Sequence, residues 1–153
     1  MTKHKLKHHR TAGGVVLNAA GQVLVLNRTV ERNGESVHEV RLPKGHIDGG
    51  ESEADAAMRE VGEESGYWNV RIVADLGTAH SHFEFKGKLH EREERYFLMR
   101  LTQKERGLAA PLGREEALFE PEWLPLHEAQ ARMTYASEQD FVERAQRWLS
   151  EKH

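Results

Sequence analysis

Residues 45–67 constrain this chain more than any other stretch, because they combine a predicted helix with a fixed set of acidic side chains. Residues 52–64 contain no proline and a single glycine. Ser52 followed by Asp55 is a variant of the capping-box pattern, which satisfies free backbone donors at a helix start. Gly66 supplies a stop signal at the other end. The spacing therefore predicts one helix with defined caps.

The two sides of this helix differ in character. Its apolar residues recur at i, i+3, i+4 and i+7 and form one stripe that can pack on a sheet. They are Ala54, Ala57, Met58 and Val61. Glu60, Glu63 and Glu64 crowd the opposite side, where like charges repel by about 0.2 to 0.5 kcal/mol per pair. We expect Glu63 and Glu64 to be exposed and a bound cation to offset the repulsion between the carboxylates. The alternative is that this acidic face of the helix is simply solvated and binds no cation.

The acidic side favours Mg²⁺, with Mn²⁺ as the second candidate, because hard divalent cations combine carboxylates with waters and phosphate oxygens. The chain has no cysteine, and its ten histidines show no zinc-ligand spacing. A divalent cation next to a diphosphate neutralises phosphate charge and activates water. This side of the helix therefore suits hydrolysis of a diphosphate bond.

The whole stretch resembles the Nudix box. That pattern is a glycine, five residues, Glu, seven residues, Arg-Glu, an aliphatic residue, any residue, Glu-Glu, any residue, a glycine and a final apolar residue. The matching positions here are Gly45, Glu51, Arg59, Glu60, Val61, Glu63, Glu64 and Gly66. Tyr67 stands at the last position, where the family usually has Ile, Leu or Val. So many fixed offsets make the signal strong.

The resemblance implies a Nudix hydrolase and assigns roles within the box. Glu60, Glu63 and Glu64 hold the metal and position the base, while Arg59 orients one of these carboxylates. The backbone carbonyl of Gly45 completes the metal shell. Which glutamate is the base varies among relatives, and the sequence leaves that choice open.

A further acid from a distant loop often joins the metal site in this family. Glu116 is the candidate here, and its neighbour Glu115 is the alternative. A solvated loop acid is at least as good an interpretation of either residue.

Residues outside the box bear on the substrate. The segments 41–48 and 95–100 resemble those of dinucleoside polyphosphate hydrolases, and the first also resembles that of diphosphoinositol polyphosphate phosphohydrolases. By this likeness Lys44 contacts a phosphate, while Arg41 and His46 meet outer phosphates or remain surface side chains. The likeness also makes two aromatic residues, Tyr96 and Phe83, candidates for stacking on a base, although each has an equal claim to the core.

Three functions compete on this evidence. The favoured one is hydrolysis of a nucleoside polyphosphate, a small molecule such as diadenosine tetraphosphate. The second keeps the chemistry but acts on a nucleoside triphosphate, ADP-ribose, a diphosphoinositol polyphosphate or the 5′ end of an RNA. The third is a Nudix-like module that binds a nucleotide or RNA without cutting, although such modules typically lose box glutamates and all are present here.

Composition sets the wider limits. A chain of 153 residues that is 38% hydrophobic and 31% charged fits one domain, predicted over residues 11–153 after a flexible basic arm at 1–10. The net charge of −3 argues against nonspecific binding to nucleic acid, and no apolar run is long enough to cross a membrane. The lack of cysteine and of a secretion signal favours the cytoplasm. The oligomeric state is not predicted.

Periodicity predicts an α/β fold. Strands are expected at 13–17, 22–27, 38–42, 69–76 and 80–101, the last with a turn at Gly87, and an edge strand at 122–124. A polar loop is expected at 28–35, and two further helices at 126–133 and 137–152. Strands interleaved with helices imply the Nudix-type α/β/α sandwich with a mixed central sheet.

Overall fold

The computed structural model describes residues 6–151. Within that range the strands are β1 (Lys7–Leu17), β2 (Gln22–Arg32), β3 (Glu35–Arg41), β4 (Lys44–His46), β5 (Val70–Phe85), β6 (Lys88–Leu101) and β7 (Glu120–Pro125). The α-helices are α1 (Glu53–Ser65), α2 (Leu126–Arg132) and α3 (Ala136–Ser150), and a 3₁₀ turn spans Glu116–Leu118. No helix in this range has the length and apolar character needed to cross a membrane.

The strands form one mixed sheet in the order β3-β2-β1-β6-β5, with β4 beside β1 and β7 beside β2. β1 and β6 run parallel, whereas the other pairs run antiparallel. Successive residues of a strand point to opposite faces, so Val16 packs with Val61 of α1 while Val15 packs with Phe141 of α3. The predicted α/β/α sandwich with a mixed central sheet is confirmed.

Helix α1 has the predicted caps. The Ser52 hydroxyl accepts a hydrogen bond from the backbone N–H of Asp55 at 3.0 Å. Gly66 adopts a left-handed φ of 84°, and its N–H donates to the carbonyl of Gly62 at 2.8 Å. Val61 is fully buried, as the apolar stripe requires. The local sequence therefore sets both the length of α1 and the face that it turns to the sheet.

Two predictions about the first third of the chain are wrong. The stretch 28–35 is not a loop, because β2 continues to Arg32 and β3 begins at Glu35. Asn33 and Gly34, both with positive φ, make the tight turn between these strands, and Asn-Gly is the dipeptide that such a hairpin turn prefers. Residues 7–10 are not a free arm either, since they pair with β6. Residues 1–5 of the predicted arm lie outside the described part.

Candidate functional site

The centre of the site lies where β4 meets the carboxyl-terminal half of α1. Strand β4 pairs with β1, and Ala12 lies opposite Gly45 in this register. A Cβ atom at Gly45 would collide with the carboxylate of Glu60. Only glycine therefore lets the strand approach the helix closely enough to place its backbone carbonyl beside the box carboxylates.

Arg59 organises the acidic side chains. Its Nε donates to Glu51 at 2.8 Å, and its Nη1 donates to Glu60 at 2.8 Å and to Glu63 at 3.0 Å. Its Nη2 also donates to the backbone carbonyl of His46 at 2.9 Å. The hydrogen bonds from Arg59, with that to Glu51 the largest cause, hold the pKa of the guanidinium well above its ordinary value. One charged side chain thus ties the helix start, β4 and two box glutamates together.

Glu64 is buried, contrary to the expectation that it lies on an exposed side of α1. It is 8% exposed, and its Oε1 accepts a hydrogen bond from the backbone N–H of Lys44 at 2.8 Å. Burial raises the pKa of Glu64 to about 8, and the nearby charges of Glu60 and Glu116 add to the shift. The prediction fails because β4 and the loop that carries Glu116 cover this side of the helix.

Its two neighbours are also covered. Glu60 is 7% exposed, and burial raises the pKa of its carboxyl group above the ordinary value. The side chain of Glu63, which accepts a hydrogen bond from Arg59, is only 15% exposed. The exposed position predicted for Glu63 is therefore wrong as well. Three carboxylates therefore share a site with one arginine, and two of them hold their protons more tightly than free glutamate does.

The donor set fits a divalent cation in its chemistry. Glu60, Glu63, Glu64, Glu116 and Gly45 all line one cavity of about 190 Å³, and hard oxygen donors of this kind suit Mg²⁺ or Mn²⁺. Within residues 6–151, no three histidine or carboxylate side chains already converge on one metal position. The side chains of Glu60 and Glu63 instead accept hydrogen bonds from Arg59. Burial raises the pKa values of Glu60 and Glu64, and the neighbouring acidic side chains add to both shifts.

The two candidate loop acids have different surroundings. Glu116 lines the cavity beside Glu64. Glu115 instead forms an ion pair with Arg32 at 2.9 Å, and the hydrogen bonds from that guanidinium lower the pKa of Glu115. The structure therefore brings Glu116, and not Glu115, to the carboxylates of α1.

A second cavity of about 220 Å³ adjoins the first, and Arg28, Arg41, Lys44 and Arg92 are among its lining residues. We call it the cationic cavity, and we call the first one, lined by the glutamates of α1, the carboxylate cavity. The two cavities share five lining residues: Lys44, Gly45, His46, Glu64 and Glu116. The three sequence-predicted phosphate contacts, Lys44, Arg41 and His46, all line it. A ligand that enters the carboxylate cavity can therefore continue directly into the cationic one.

Most cations of this cavity already have carboxylate partners. Lys44 Nζ lies 2.5 Å from Glu94, and Arg41 Nε donates to Glu138 at 2.9 Å. A third cation, Arg28, lies 2.8 Å from the buried Glu39. These pairs fix the side chains on the wall of the cavity, and they offset part of the charge that phosphates would otherwise meet.

The aromatic predictions need correction. Tyr96 has no exposed surface, and its ring packs 4.4 Å from that of Phe141 in the core, so it cannot stack on a base. Phe83 stacks on His90 at 4.9 Å and is not among the residues that line either cavity. Phe119 does line the cationic cavity, with the Arg28 guanidinium 4.2 Å above its ring. Sequence analysis missed it, since an isolated aromatic in a loop carries no periodic signal.

A sequence profile described as the NUDIX domain matches residues 7–145. The chain belongs to the Nudix hydrolase family. The prediction drawn from the box is thereby confirmed. Nudix hydrolases generally use divalent metal ions, which agrees with the chemistry of the donor set.

Two curated Nudix relatives are about one-third identical to this chain. One is a proposed mutator protein, MutT4, of Mycobacterium tuberculosis (strain CDC 1551 / Oshkosh), with 32% identity over 148 residues. The alignment covers 93% of this chain, but the chain spans only about half, 56%, of that relative's length. The other is an RNA pyrophosphohydrolase of Rhizobium meliloti (strain 1021), with 32% identity over 142 residues, covering 84% of this chain and 85% of the relative.

Solved structures share the fold. A C. elegans Ap4A hydrolase in a binary complex superposes with a TM-score of 0.66 and 25% identity, covering 93% of this chain and 98% of that one. A MutT protein from Methanosarcina mazei Go1 superposes with a TM-score of 0.65 at 20% identity, covering 97% and 100%. At this lower identity the likeness supports the Nudix fold alone.

Proposed function

We propose that this protein is a divalent-metal-dependent pyrophosphohydrolase that cleaves a diphosphate bond in a nucleoside polyphosphate. The observation that carries the proposal is the set of buried carboxylates, Glu60 and Glu64, which line one cavity together with Glu116 and Gly45. Buried carboxylates with raised pKa values are costly to keep ionised. A site that retains them in a cavity open to solvent is suited to a cation and its phosphate ligand.

Glu60, Glu64, Glu116 and the Gly45 carbonyl would hold Mg²⁺ or Mn²⁺, which neutralises phosphate charge and makes water more acidic when bound. Because Glu64 has a pKa of about 8, it is largely protonated at neutral pH before a cation arrives. Cation binding would therefore release a proton from this site. Arg59 positions Glu60 and Glu63 through hydrogen bonds of 2.8 and 3.0 Å, and it keeps both carboxylates directed at the same cavity.

The cationic cavity would take the rest of the phosphate chain. Lys44 and His46 line both cavities, whereas Arg41 lines only the cationic one. Lys44 is the strongest of these predicted phosphate contacts, because its side chain is cationic and its backbone N–H also holds Glu64. Phe119 lines this cavity and would offer its ring to a base, a contact worth about 1 to 3 kcal/mol in single-stranded nucleic-acid sites. We therefore place Phe119 in the stacking role that the sequence suggested for Tyr96 or Phe83.

Diadenosine tetraphosphate is the substrate that we favour. The structural likeness to a C. elegans Ap4A hydrolase supports it, and so does a cavity wall with four cationic side chains, Arg28, Arg41, Lys44 and Arg92. The 5′ end of an RNA is the second candidate, because an RNA pyrophosphohydrolase is 32% identical over most of this chain. Nucleic acid therefore remains a possible substrate despite the net charge of −3. A cytoplasmic location remains a prediction.

Product analysis by ion-exchange chromatography tests the proposal. Purified protein is incubated with diadenosine tetraphosphate, ADP-ribose, nucleoside triphosphates or triphosphorylated RNA, in Mg²⁺ or in EDTA. We expect Mg²⁺-dependent conversion of diadenosine tetraphosphate to ATP and AMP. Faster turnover of the RNA would replace the favoured substrate by the second candidate.

The Glu64→Gln protein, prepared in the same way, controls for contaminating hydrolases, because it should show no turnover. Folded wild-type protein that turns over none of these compounds would contradict the hydrolase assignment. That result would favour a module that binds nucleotides without cutting them.

A further inference from the structure

The cationic cavity contains two polar groups that have no partner. Among the described residues, four buried side-chain polar atoms lack a hydrogen-bond partner, and Thr11 Oγ1 and Arg92 Nε are two of them. Both residues line the cationic cavity, and Thr11 is only 5% exposed. Leaving a buried donor unsatisfied costs about 1 to 3 kcal/mol. Both groups therefore have unused hydrogen-bonding capacity on the wall of one cavity.

Charge singles out Arg92 in the same way. The other three long cations of this wall, Arg28, Arg41 and Lys44, each face a carboxylate within 3 Å. Arg92 has no carboxylate partner in the described part of the chain, and its guanidinium lies 4.9 Å from the ring centroid of Phe83. An aromatic face attracts the cation but does not neutralise its charge. Arg92 is therefore available to an anion in a way that its neighbours are not.

Strand pairing places the two residues side by side. In the parallel ladder of β1 and β6, Thr11 lies opposite Glu94, and Arg92 precedes Glu94 by two residues. Residues two apart on a strand point to the same face, so Thr11 and Arg92 form a diagonal pair on one surface. His46 of β4 lies opposite Thr11 on its other side. The pair therefore adjoins the residues that the two cavities share.

We propose that Thr11 and Arg92 bind a phosphoryl group of the substrate beyond the diphosphate bond that is cleaved. This inference rests on the proposed function, because the carboxylate cavity must take the two phosphates on either side of the cleaved bond. The next phosphate then enters the adjoining cationic cavity. There its oxygens accept hydrogen bonds from the Thr11 hydroxyl and from Arg92 Nε–H, and a planar guanidinium suits this geometry. The site selects compounds with three or more consecutive phosphates over those with two.

Titration calorimetry with inorganic tripolyphosphate and with pyrophosphate tests the subsite directly. The measurement uses Glu64→Gln protein, which should not hydrolyse the ligands during the titration. We expect tripolyphosphate to bind at least about tenfold more tightly than pyrophosphate. Adding Arg92→Gln or Thr11→Val should weaken tripolyphosphate binding by about tenfold or more, with pyrophosphate binding little changed. Thr11→Val removes the hydroxyl with almost no change in shape.

Two further variants serve as controls. Arg100→Gln removes an arginine from the same strand that does not line the cavity, so it should leave both affinities unchanged. Arg92→Lys retains the charge without the Nε–H donor and should restore binding only in part. Equal affinity for the two anions in the parent protein, or unchanged tripolyphosphate binding in the Arg92→Gln protein, would overturn the proposal.

A kinetic comparison separates this proposal from the proposed function. In otherwise wild-type enzyme, Arg92→Gln should lower kcat/KM for diadenosine tetraphosphate about tenfold or more while leaving that for ADP-ribose near its original value. If the Arg92→Gln enzyme is active and its kcat/KM changes equally for the two substrates, the subsite is refuted and the proposed hydrolase is not. Protein that hydrolyses nothing but still prefers tripolyphosphate, and loses that preference with Arg92→Gln, would refute the hydrolase and retain the subsite.

Discussion

Replacing Glu64 by Gln should stabilise the fold while it abolishes turnover. The carboxylate is 8% exposed and has a pKa of about 8 against an ordinary value of 4.5. Glutamine keeps the shape and can still accept the hydrogen bond that the Lys44 backbone N–H donates at 2.8 Å. Glutamine cannot ionise, so folding no longer requires this buried group to keep a proton that the unfolded chain would release.

The size of the effect depends on pH. Between about pH 4.5 and 8 the folded state keeps a proton on Glu64 that the unfolded chain has released, so this group makes stability fall as pH rises. Each pH unit in that window is worth about 1.4 kcal/mol. At pH 7 the cost of the carboxyl group is about 3 kcal/mol, which glutamine avoids. For a chain of this size that corresponds to an increase in Tm of about 6 to 12 °C.

Urea unfolding in EDTA at pH 5, 6, 7 and 8 measures this difference. The Gln variant should match the wild type near pH 5 and exceed it increasingly toward pH 8. Glu84→Gln provides the control, since Glu84 is an exposed carboxylate on β5 and its loss should leave stability unchanged. A Glu64→Gln protein that is no more stable than the wild type at pH 8 would refute the argument. Saturating Mg²⁺ should narrow the gap, because the cation binds the wild-type site more tightly.

Three further predictions concern a core residue of α1, the two loop acids and two aromatic residues. Val61→Asp should prevent folding, since it buries a carboxylate at a fully covered position of α1, and circular dichroism would show the loss of structure. Glu116→Gln should weaken Mg²⁺ activation at least about tenfold, whereas Glu115→Gln should not; equal effects in a Mg²⁺ titration of activity would contradict the cavity assignment. Phe119→Ala should raise KM for diadenosine tetraphosphate by about 5- to 150-fold, which is the equivalent of a lost stacking contact. Tyr96→Phe should leave KM unchanged, because Tyr96 is fully buried. The reverse result in steady-state kinetics would restore Tyr96 to the site.

Much of the local structure could be read from neighbouring residues. The caps of α1 and its apolar stripe depend on residues within about four positions along the helix, and these appear as predicted. The hairpin between β2 and β3 could also have been recognised, because Asn33-Gly34 is a strong turn signal.

The candidate site was only partly predictable. The sequence placed Gly45, Arg59, Glu60, Glu63 and Glu64 in one motif, and the structure brings them to one place. It gave no means of choosing between Glu115 and Glu116, which are adjacent in a loop. The choice follows from Arg32, which lies 83 residues before Glu115 in the chain and draws its side chain away.

By itself, then, the sequence determined the elements whose causes are local: the capped helix α1, the spacing of its carboxylates and the alternation that builds the strands. Only the tertiary structure decided which of those groups are buried, paired or open to a ligand. Lys44 meets Glu94 from 50 residues away, and Thr11 reaches Arg92 only through the pairing of β1 with β6. Burial and charge pairing arise from contacts between distant strands, and no periodicity along the chain records them.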